Sequence, residues 1–163
     1  MVLCIGPEGS GKTLLLKKIQ DPDYVDNTTA SIPTVGTNIL SLQLGDKIYT
    51  IRELGGSIAP LWPKYFYDVG KVMYVVDASN LCQISTAGVL LYTVLAHPLL
   101  RNAKFLLVLT KMDASYRQMR NEALLMLQMK RLQKEIKQKI TIVEASAITG
   151  LGREDILKWI SSQ

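Results

Sequence analysis

The glycine-rich stretch at residues 6–13 is the feature that most constrains this chain, because its spacing fits GxxxxGK[ST]. It follows a short apolar run, Val2–Ile5, and precedes a helix expected from Lys12. Glycines here let backbone N–H groups converge on phosphates, and a helix N-terminus adds a favourable dipole. Lys12 is expected to reach the outer phosphates, and the Thr13 hydroxyl to bind Mg2+. The predicted phosphate-binding residues are Gly6, Glu8, Gly9, Ser10, Gly11, Lys12 and Thr13.

Size and composition favour one compact domain spanning residues 1–163. The 163 residues are 48% hydrophobic and 20% charged, which is enough to bury a core. Cys4 and Cys82 have no metal-binding spacing and lie in apolar runs, so both are expected to be reduced thiols in the core of a cytoplasmic protein.

An intrinsic membrane anchor is not expected. The most apolar stretch, residues 88–100, contains polar residues and a proline and is too short to span a bilayer. Val2 excludes N-myristoylation, and the last residues carry no prenylation box. Any recruitment to membranes is therefore expected to depend on partners.

The net charge of +5 comes largely from basic residues at helical spacing. These residues are Lys130, Arg131, Lys134, Lys137 and Lys139. A solvated helix face explains the pattern better than an acidic partner or a membrane surface. Nucleic-acid binding is not expected, because no zinc, RNP-like or basic–aromatic pattern accompanies the charges.

Apolar strand-like runs alternate with helical patterns along most of the chain. The predicted strands are Val2–Ile5, 71–76, Lys104–Thr110 and 140–145, and the last helix is expected from Arg153. This alternation predicts an α/β fold with parallel strands and helices on both faces of the sheet.

One pair of strands interrupts the alternation. Residues 38–44 and Lys47–Leu54 are joined by Gly45-Asp46, which favours a hairpin and so a six-stranded mixed sheet with one antiparallel edge strand. Residues 21–30 are polar and are expected to form a mobile loop. A single helix is predicted before the last strand from Leu124, Leu125, Gln128, Met129, Leu132 and Ile136.

The base of a nucleotide is specified by Thr110-Lys111-Met112-Asp113, at the carboxyl end of a predicted strand, where ligands of such sheets bind. The Asp113 carboxylate can accept hydrogen bonds from two donors of guanine, whereas adenine does not supply that pair. The Lys111 stem is expected to cover one face of the base. Ser146-Ala147 follows a later strand and can present a backbone N–H to the guanine oxygen, although a plain strand-to-loop junction explains it nearly as well.

Two segments are expected to sense the terminal phosphate. The hydroxyl of Thr34 can complete Mg2+ coordination when that phosphate is present, and the Gly56 N–H can be donated to it. Both groups would lose this partner after hydrolysis. The expected nucleotides are therefore GTP and GDP, with Mg2+.

The whole chain resembles the Arf and Arf-like branch of the Ras-type small GTPases. The resemblance is carried by residues 33–38 (Pro-Thr-Val-Gly-Thr-Asn), residues 53–56 (Glu-Leu-Gly-Gly) and residues 60–62 (Pro-Leu-Trp). It implies a monomeric Ras-like P-loop GTPase fold that binds effectors in the GTP state, with an exchange factor and an activating protein. It also implies a role in membrane or ciliary trafficking. The switch and effector residues implied are Pro33, Thr34, Val35, Gly36, Thr37, Gly55, Gly56 and Tyr65.

Departures from the family pattern affect catalysis. Glu53 stands where the family has an aspartate that reaches Mg2+ through water, so Mg2+ binding is expected to be altered. Ser57 stands where the family has the glutamine that orients the attacking water, and no other catalytic residue is assigned. Thr37 and Arg52 replace aromatic residues that effectors contact, so effector choice is expected to differ.

Further departures from the family pattern concern one segment length and two residues of the base-binding motifs. Several other residues are expected to have structural roles. The segment from Gly56 to Pro60 is two residues shorter than usual, and Thr110 and Ile148 replace the family's Asn and Lys. Asp77 is expected to brace a loop. His97 is expected to be structural, and the helical pair Ile156 and Trp159 to be core.

These features predict a nucleotide-dependent switch with slow GTP hydrolysis. One alternative is a GTPase whose partner supplies the missing catalytic group. Another is a constitutively GTP-bound or nucleotide-indifferent scaffold. A small-molecule kinase is the least favoured, because the chain shows no acceptor pocket or arginine-bearing lid in its sequence pattern.

Overall fold

The structure, a computed structural model, describes residues 1–24, 36–114 and 117–163. Within these residues, six strands form one sheet in the order β2-β3-β1-β4-β5-β6. The strands are β1 (Val2–Ile5), β2 (Thr37–Leu44), β3 (Lys47–Leu54), β4 (Lys71–Asp77), β5 (Lys104–Thr110) and β6 (Ile140–Glu144). The helices are α1 (Lys12–Gln20), α2 (Leu81–Ala96), α3 (Arg117–Met126), α4 (Met129–Glu135) and α5 (Arg153–Ser161). Shorter 3-10 helices cover Gly56–Tyr65, Pro98–Leu100 and Met112–Ala114.

The mixed sheet that the sequence predicts is confirmed. β2 and β3 pair antiparallel through the turn at Gly45, where φ is +61°, and every other strand pairing is parallel. The parallel strands β1, β4 and β5 are buried on both sides. Such strands need helices on both faces, which explains their continuous apolar sequences. The expected strand boundaries agree with the structure to within one residue.

The core consists of two layers, one on each face of the sheet. One layer packs below α2, α3 and α4 and includes Leu3, Tyr74 and Leu107. The other packs below α1 and α5 and includes the expected core residues Ile156 and Trp159. Alternate residues of each central strand enter opposite layers, as the two-residue period of a strand requires.

The segment before β6 differs from the prediction, because it forms two helices rather than one. α3 ends at Met126, and Gln128 adopts a left-handed conformation with φ of +55° before α4 begins at Met129. Leu127 and Met129 are both buried in the same core layer. Residues two apart point to different sides of a continuous helix, so burying both requires the break.

The expectation that both cysteines lie in the core is correct for Cys4 and wrong for Cys82. Cys4 is fully buried, and burial raises the pKa of its thiol. Cys82 is exposed. The core side of α2 is set by Ile84, Ala87 and Leu91, and a residue two positions before Ile84 lies off that side.

No helix among residues 1–24, 36–114 and 117–163 is long and apolar enough to cross a bilayer. The predicted mobile loop falls mostly on residues outside the described part of the chain, so it stays a prediction.

Candidate nucleotide-binding site

The glycine-rich loop connects the end of β1 to the start of α1. A Cβ on Gly6 would lie 2.2 Å from the Val75 carbonyl oxygen, so only glycine fits between β1 and β4. Gly9 and Gly11 adopt φ of +77° and +90°, which other residues rarely do. No described side chain caps the first turn of α1, so its N–H groups can receive an anion.

Lys12 lies inside this loop. Its Nζ donates to the carbonyls of Gly6 (3.0 Å) and Pro7 (2.9 Å) and lies 3.4 Å from Ser10 Oγ. The residue is only 5% exposed, and burial lowers its pKa, with Cys4, Glu53 and Glu8 acting in the opposite direction. A buried ammonium group that costs free energy to desolvate gains from a nearby anion such as phosphate.

Thr13 and Glu53 meet beside the loop. The Thr13 hydroxyl donates to Glu53 Oε1, and Glu53 is 1% exposed. Cys4 pairs with Glu53 in the β1–β3 register, which brings the end of β3 to the loop. Mg2+ prefers oxygen ligands and keeps several waters, so a hydroxyl that binds the ion and a carboxylate that reaches it through water fit this contact.

Sequence reasoning missed Asn38, which also contacts this carboxylate. Asn38 Nδ2 lies 3.4 Å from Glu53 Oε2, and the two residues are partners in the β2–β3 register. The predicted hairpin turn at Gly45-Asp46 carried the signal, because counting back from that turn pairs position 38 with position 53.

Thr110 joins the expected base-binding segment to the phosphate loop. Its hydroxyl lies 2.6 Å from the Ser10 carbonyl oxygen and 3.1 Å from that of Val76, and the side chain is 4% exposed. A hydroxyl has one proton to donate, so these two carbonyls share it. Thr110 therefore holds Ser10 in place, a role that the sequence pattern did not indicate.

Lys111 follows Thr110, and its side chain reaches across the phosphate loop. Its Nζ lies 2.9 Å from Asp77 Oδ2 and 3.2 Å from the Gly9 carbonyl oxygen. Asp77 also accepts hydrogen bonds from the backbone N–H and the hydroxyl of Ser79, at 2.8 and 2.6 Å. The expectation that Asp77 braces a loop is confirmed.

Asp113 and Ser146 approach each other from neighbouring strand ends. Ser146 Oγ donates to Asp113 Oδ1 at 2.7 Å and accepts the Thr149 N–H at 3.2 Å. Ser146 is buried, whereas Asp113 is exposed. The carboxylate is thus oriented by a buried hydroxyl while it faces solvent. Ala147 follows directly and is half-buried.

The segment after β3 lies against the opposite side of the loop. A Cβ on Gly56 would lie 2.2 Å from the Glu8 backbone nitrogen and 2.6 Å from the Pro7 carbonyl carbon. The Gly55 carbonyl accepts the Trp62 indole N–H at 3.0 Å. Ser57, the next residue, is exposed.

A contact with Gln83 also escaped the sequence analysis. Its Nε2 donates to the Glu8 carbonyl at 2.6 Å, so the first turn of α2 supports the phosphate loop. Nothing in the local sequence pattern distinguishes this glutamine from a solvated helix residue.

The expected switch residues are described only in part. Pro33, Thr34 and Val35 lie outside the described residues. Gly36 accepts the Gly55 N–H at 2.8 Å, which ties the two expected switch segments together. Thr37 begins β2 and is exposed, and Tyr65 ends the 3-10 helix beside Arg52.

The expected structural role of His97 is confirmed. It follows the last residue of α2, its Nδ1 accepts the Leu99 N–H at 3.2 Å, and its ring packs edge-on against Phe66 at 5.0 Å.

Comparison with known proteins identifies the family. The family model for ADP-ribosylation factors matches residues 1–163. The chain is 33% identical to human ADP-ribosylation factor-like protein 16, over 99% of this chain and 85% of that protein. It is 30% identical to ADP-ribosylation factor-like protein 1 of Saccharomyces cerevisiae, over 98% of this chain and 84% of that protein.

A solved structure has the same fold. The Arl6 BBS3 small GTPase from Trypanosoma brucei, with the bound nucleotide analogue GppNp, superposes with a TM-score of 0.82 at 23% identity, over 98% of this chain and 93% of that one. The chain therefore belongs to the ADP-ribosylation factor family of GTP-binding small GTPases, and it has their Ras-like fold.

Proposed function

We propose that this protein is a molecular switch that binds effector proteins in its GTP-bound form and hydrolyses GTP slowly or only with a partner. The observation that carries the proposal is the contact of Gly56 with Pro7 and Glu8, followed by Ser57. Gly56 is close enough to the phosphate loop to respond to a terminal phosphate. Ser57 is too short to orient the attacking water as glutamine does.

The phosphate groups are bound by the loop from Gly6 to Thr13, with Lys12 as the main positive charge. Guanine is bound by the Asp113 carboxylate, which Ser146 orients at 2.7 Å. The Lys111 stem covers the base, and the Ala147 N–H faces its oxygen. Thr110 contributes by fixing Ser10 in the phosphate loop.

Mg2+ would be held by the Thr13 hydroxyl and, through water, by Glu53, with Thr34 completing the set in the GTP form. Hard oxygen ligands suit this ion, and the contact between the hydroxyl and the carboxylate fits them to one ion. When bound, Mg2+ neutralises charge on the phosphates. Among these three residues, Glu53 is the one that departs from the family pattern.

The switch itself is the pair of segments joined by the Gly55–Gly36 hydrogen bond. A terminal phosphate stabilises one arrangement of this pair by bonding to Gly56 and, through Mg2+, to Thr34. Loss of that phosphate removes both bonds and shifts the population toward the relaxed form.

Partners and location are proposed from the family. We expect effectors in the GTP state, an exchange factor and an activating protein for a monomeric, cytoplasmic chain. Membrane recruitment would come through partners, and a role in membrane or ciliary trafficking fits the similarity to Arf-like proteins.

The nucleotide retained through purification tests the binding part of the proposal. Mass spectrometry is expected to find GDP or GTP in the Mg2+-containing protein and much less after EDTA. Lys12→Ala is expected to lose nucleotide, whereas the control Lys158→Ala is expected to keep it. An empty site that cannot be loaded would contradict the proposal.

Single-turnover GTP cleavage tests the hydrolysis part. We expect Ser57→Gln to cleave GTP about tenfold faster or more, because glutamine can orient water. Ser57→Ala is expected to match the unmodified protein. Hydrolysis by the unmodified protein as fast as by the glutamine variant would refute slow intrinsic turnover. Strong stimulation by an activating protein would identify a partner-supplied catalytic group.

A constitutively GTP-bound or nucleotide-indifferent scaffold is the second candidate. It is favoured by the way Lys12 is already satisfied by the carbonyls of Gly6 and Pro7, which lets the loop persist without a ligand. GTP retained without hydrolysis, or equal effector binding with an empty site, would support this function over a switch.

A further inference from the structure

One face of the β2–β3 hairpin carries two exposed isoleucines. Its other face packs against the core below α1 and α5 through Leu42 and Ile51. On the first face, Ile39 is 59% exposed and Ile48 is 68% exposed. A single exposed isoleucine is ordinary on a protein surface, so the chemistry of its neighbours decides what this face can bind.

Arg52 lies on this same face. It is the direct cross-strand partner of Ile39, so their side chains are neighbours. Its guanidinium carbon lies 5.2 Å from the centre of the Tyr65 ring, at the end of the 3-10 helix that follows β3. A cation–π contact of this kind restricts the arginine without using its N–H donors.

The Arg52 guanidinium has no carboxylate partner among the described residues, whose ion pairs all involve other groups. Neighbouring Glu53 points to the opposite side, where it is buried against Thr13. Lys64, next to Tyr65, is exposed and adds a second positive charge. We refer to Ile39, Ile48, Arg52, Lys64 and Tyr65 as the hairpin surface.

We propose that the hairpin surface binds an acidic protein segment that places a carboxylate on Arg52 and a large apolar side chain on Ile39. A planar guanidinium held by an aromatic ring is well suited to pairing with a carboxylate in two parallel hydrogen bonds. The adjacent isoleucine offers apolar area to bury, which supplies affinity beside the charge pair.

This assignment rests on the proposed switch and names the chemistry of its effector. Arg52 is followed by Glu53 of the metal site, and Tyr65 ends the segment that begins at Gly56. A change at the terminal phosphate therefore acts on both ends of the arginine–tyrosine contact. Binding of the acidic segment is expected to be stronger in the GTP form.

Selection from a phage-displayed library of random peptides tests the proposal. The immobilised protein is loaded with GppNp, and the enriched sequences are compared between the unmodified protein, Arg52→Glu and Arg101→Glu. Arg101 is exposed and lies beyond α2, so the control makes the same charge change away from the surface. Enrichment of Asp or Glu beside a large apolar residue is expected for the unmodified protein and the control only.

A selected peptide then gives the size of the effect. Arg52→Glu and Ile39→Ser are each expected to weaken its binding about tenfold or more. Replacing the acidic residue of the peptide by lysine is expected to restore binding to Arg52→Glu. The melting temperature and retained nucleotide of each variant must match the unmodified protein. If Arg52→Glu misfolds, Arg52→Gln removes the same positive charge and provides the comparison.

The outcomes distinguish a failure of the hairpin-surface assignment from a failure of the proposed switch. If the enriched peptides lack acidic residues, or if no peptide is enriched, the assignment of the hairpin surface is wrong. If acidic peptides depend on Arg52 but bind the GDP and GppNp forms equally, the surface stands and the switch is overturned. Acidic peptides that depend on Arg52 and prefer the GppNp form support both.

Discussion

Thr110 illustrates how a single buried hydroxyl links two segments of the site that lie far apart in sequence. Its proton is shared between the carbonyls of Ser10 and Val76, one in the phosphate loop and one in β4. A base-binding segment held this way cannot shift without disturbing the loop. A residue that the sequence analysis expected beside the base is thus a brace for the glycine-rich loop.

Replacing this hydroxyl should loosen nucleotide binding. Thr110→Val keeps the shape but leaves the buried Ser10 carbonyl without its partner, which costs about 1–3 kcal/mol. We expect faster release of a fluorescent GDP analogue and a lower melting temperature. Thr93→Val is the control, since the Thr93 hydroxyl bonds within the exposed side of α2. Equal release rates for both variants would contradict the bracing role.

Gly56 occupies a position where no side chain fits. Because a Cβ there would lie 2.2 Å from the Glu8 backbone nitrogen, Gly56→Ala must push the segment away from the phosphate loop. We expect a loss of stability of about 1–3 kcal/mol from overpacking, together with weaker discrimination between GTP and GDP.

Denaturant unfolding and GppNp titration measure these two effects of Gly56→Ala. Gly70→Ala is a matched control, because a Cβ at Gly70 meets no atom within 4 Å and its φ is not positive. Unchanged stability and unchanged GppNp affinity in Gly56→Ala would show that the segment does not need this close approach.

At the scale of elements, the break between α3 and α4 shows core burial overriding helix propensity. Residues 124–136 carry helix-forming residues throughout, so their local preference is one long helix. Instead, the left-handed conformation of the residue between Leu127 and Met129 allows both side chains to be buried. Burying both side chains outweighs the cost of about 1 kcal/mol for a non-glycine residue in that conformation.

Glycine should therefore be favoured at the break. Gln128→Gly removes the steric cost of the left-handed conformation and is expected to raise the free energy of unfolding by about 0.5–1 kcal/mol. Lys130→Gly, inside α4, is expected to lower it by about 1 kcal/mol. Chemical denaturation of the two variants measures whether the free energy of unfolding rises or falls in each. Destabilisation by glycine at both positions would argue for a continuous helix.

At the scale of the whole molecule, Lys71 ties the last helix to the centre of the sheet. Its Nζ lies 2.9 Å from the Trp159 carbonyl oxygen, 2.7 Å from that of Ile160 and within hydrogen-bonding contact of that of Ser162. It also lies 5.5 Å from the centre of the Trp159 ring. A cation at the carboxyl end of a helix satisfies carbonyls that have no partner within the helix.

Removing this charge should destabilise the docking of α5. Lys71→Met is expected to lower the free energy of unfolding by about 1 kcal/mol and to increase amide exchange in α5 selectively. Lys47→Met, at the start of β3, is the control with the same chemical change at an exposed residue. Exchange that rises equally in both variants would show that Lys71 does not hold the helix.

Much of this arrangement could be predicted from the sequence, and the exceptions have physical causes. Strands and hairpin follow from local apolar patterns and from Gly45-Asp46, so their positions were recognisable. The contacts of Asn38 and Gln83 depend on which strands and helices become neighbours, and only the hairpin register offered a signal for Asn38. The prediction that Cys82 lies in the core was wrong because an apolar run does not indicate which side of α2 faces the core.

The sequence by itself determined the order of the elements and the position of the glycine-rich loop, because each depends on residues close together in the chain. Only the tertiary structure decided that Glu53 meets Thr13, that Thr110 holds Ser10, and that Arg52 stacks on Tyr65. These contacts form where the carboxyl ends of neighbouring strands and their following segments converge, and that convergence is a property of the folded sheet.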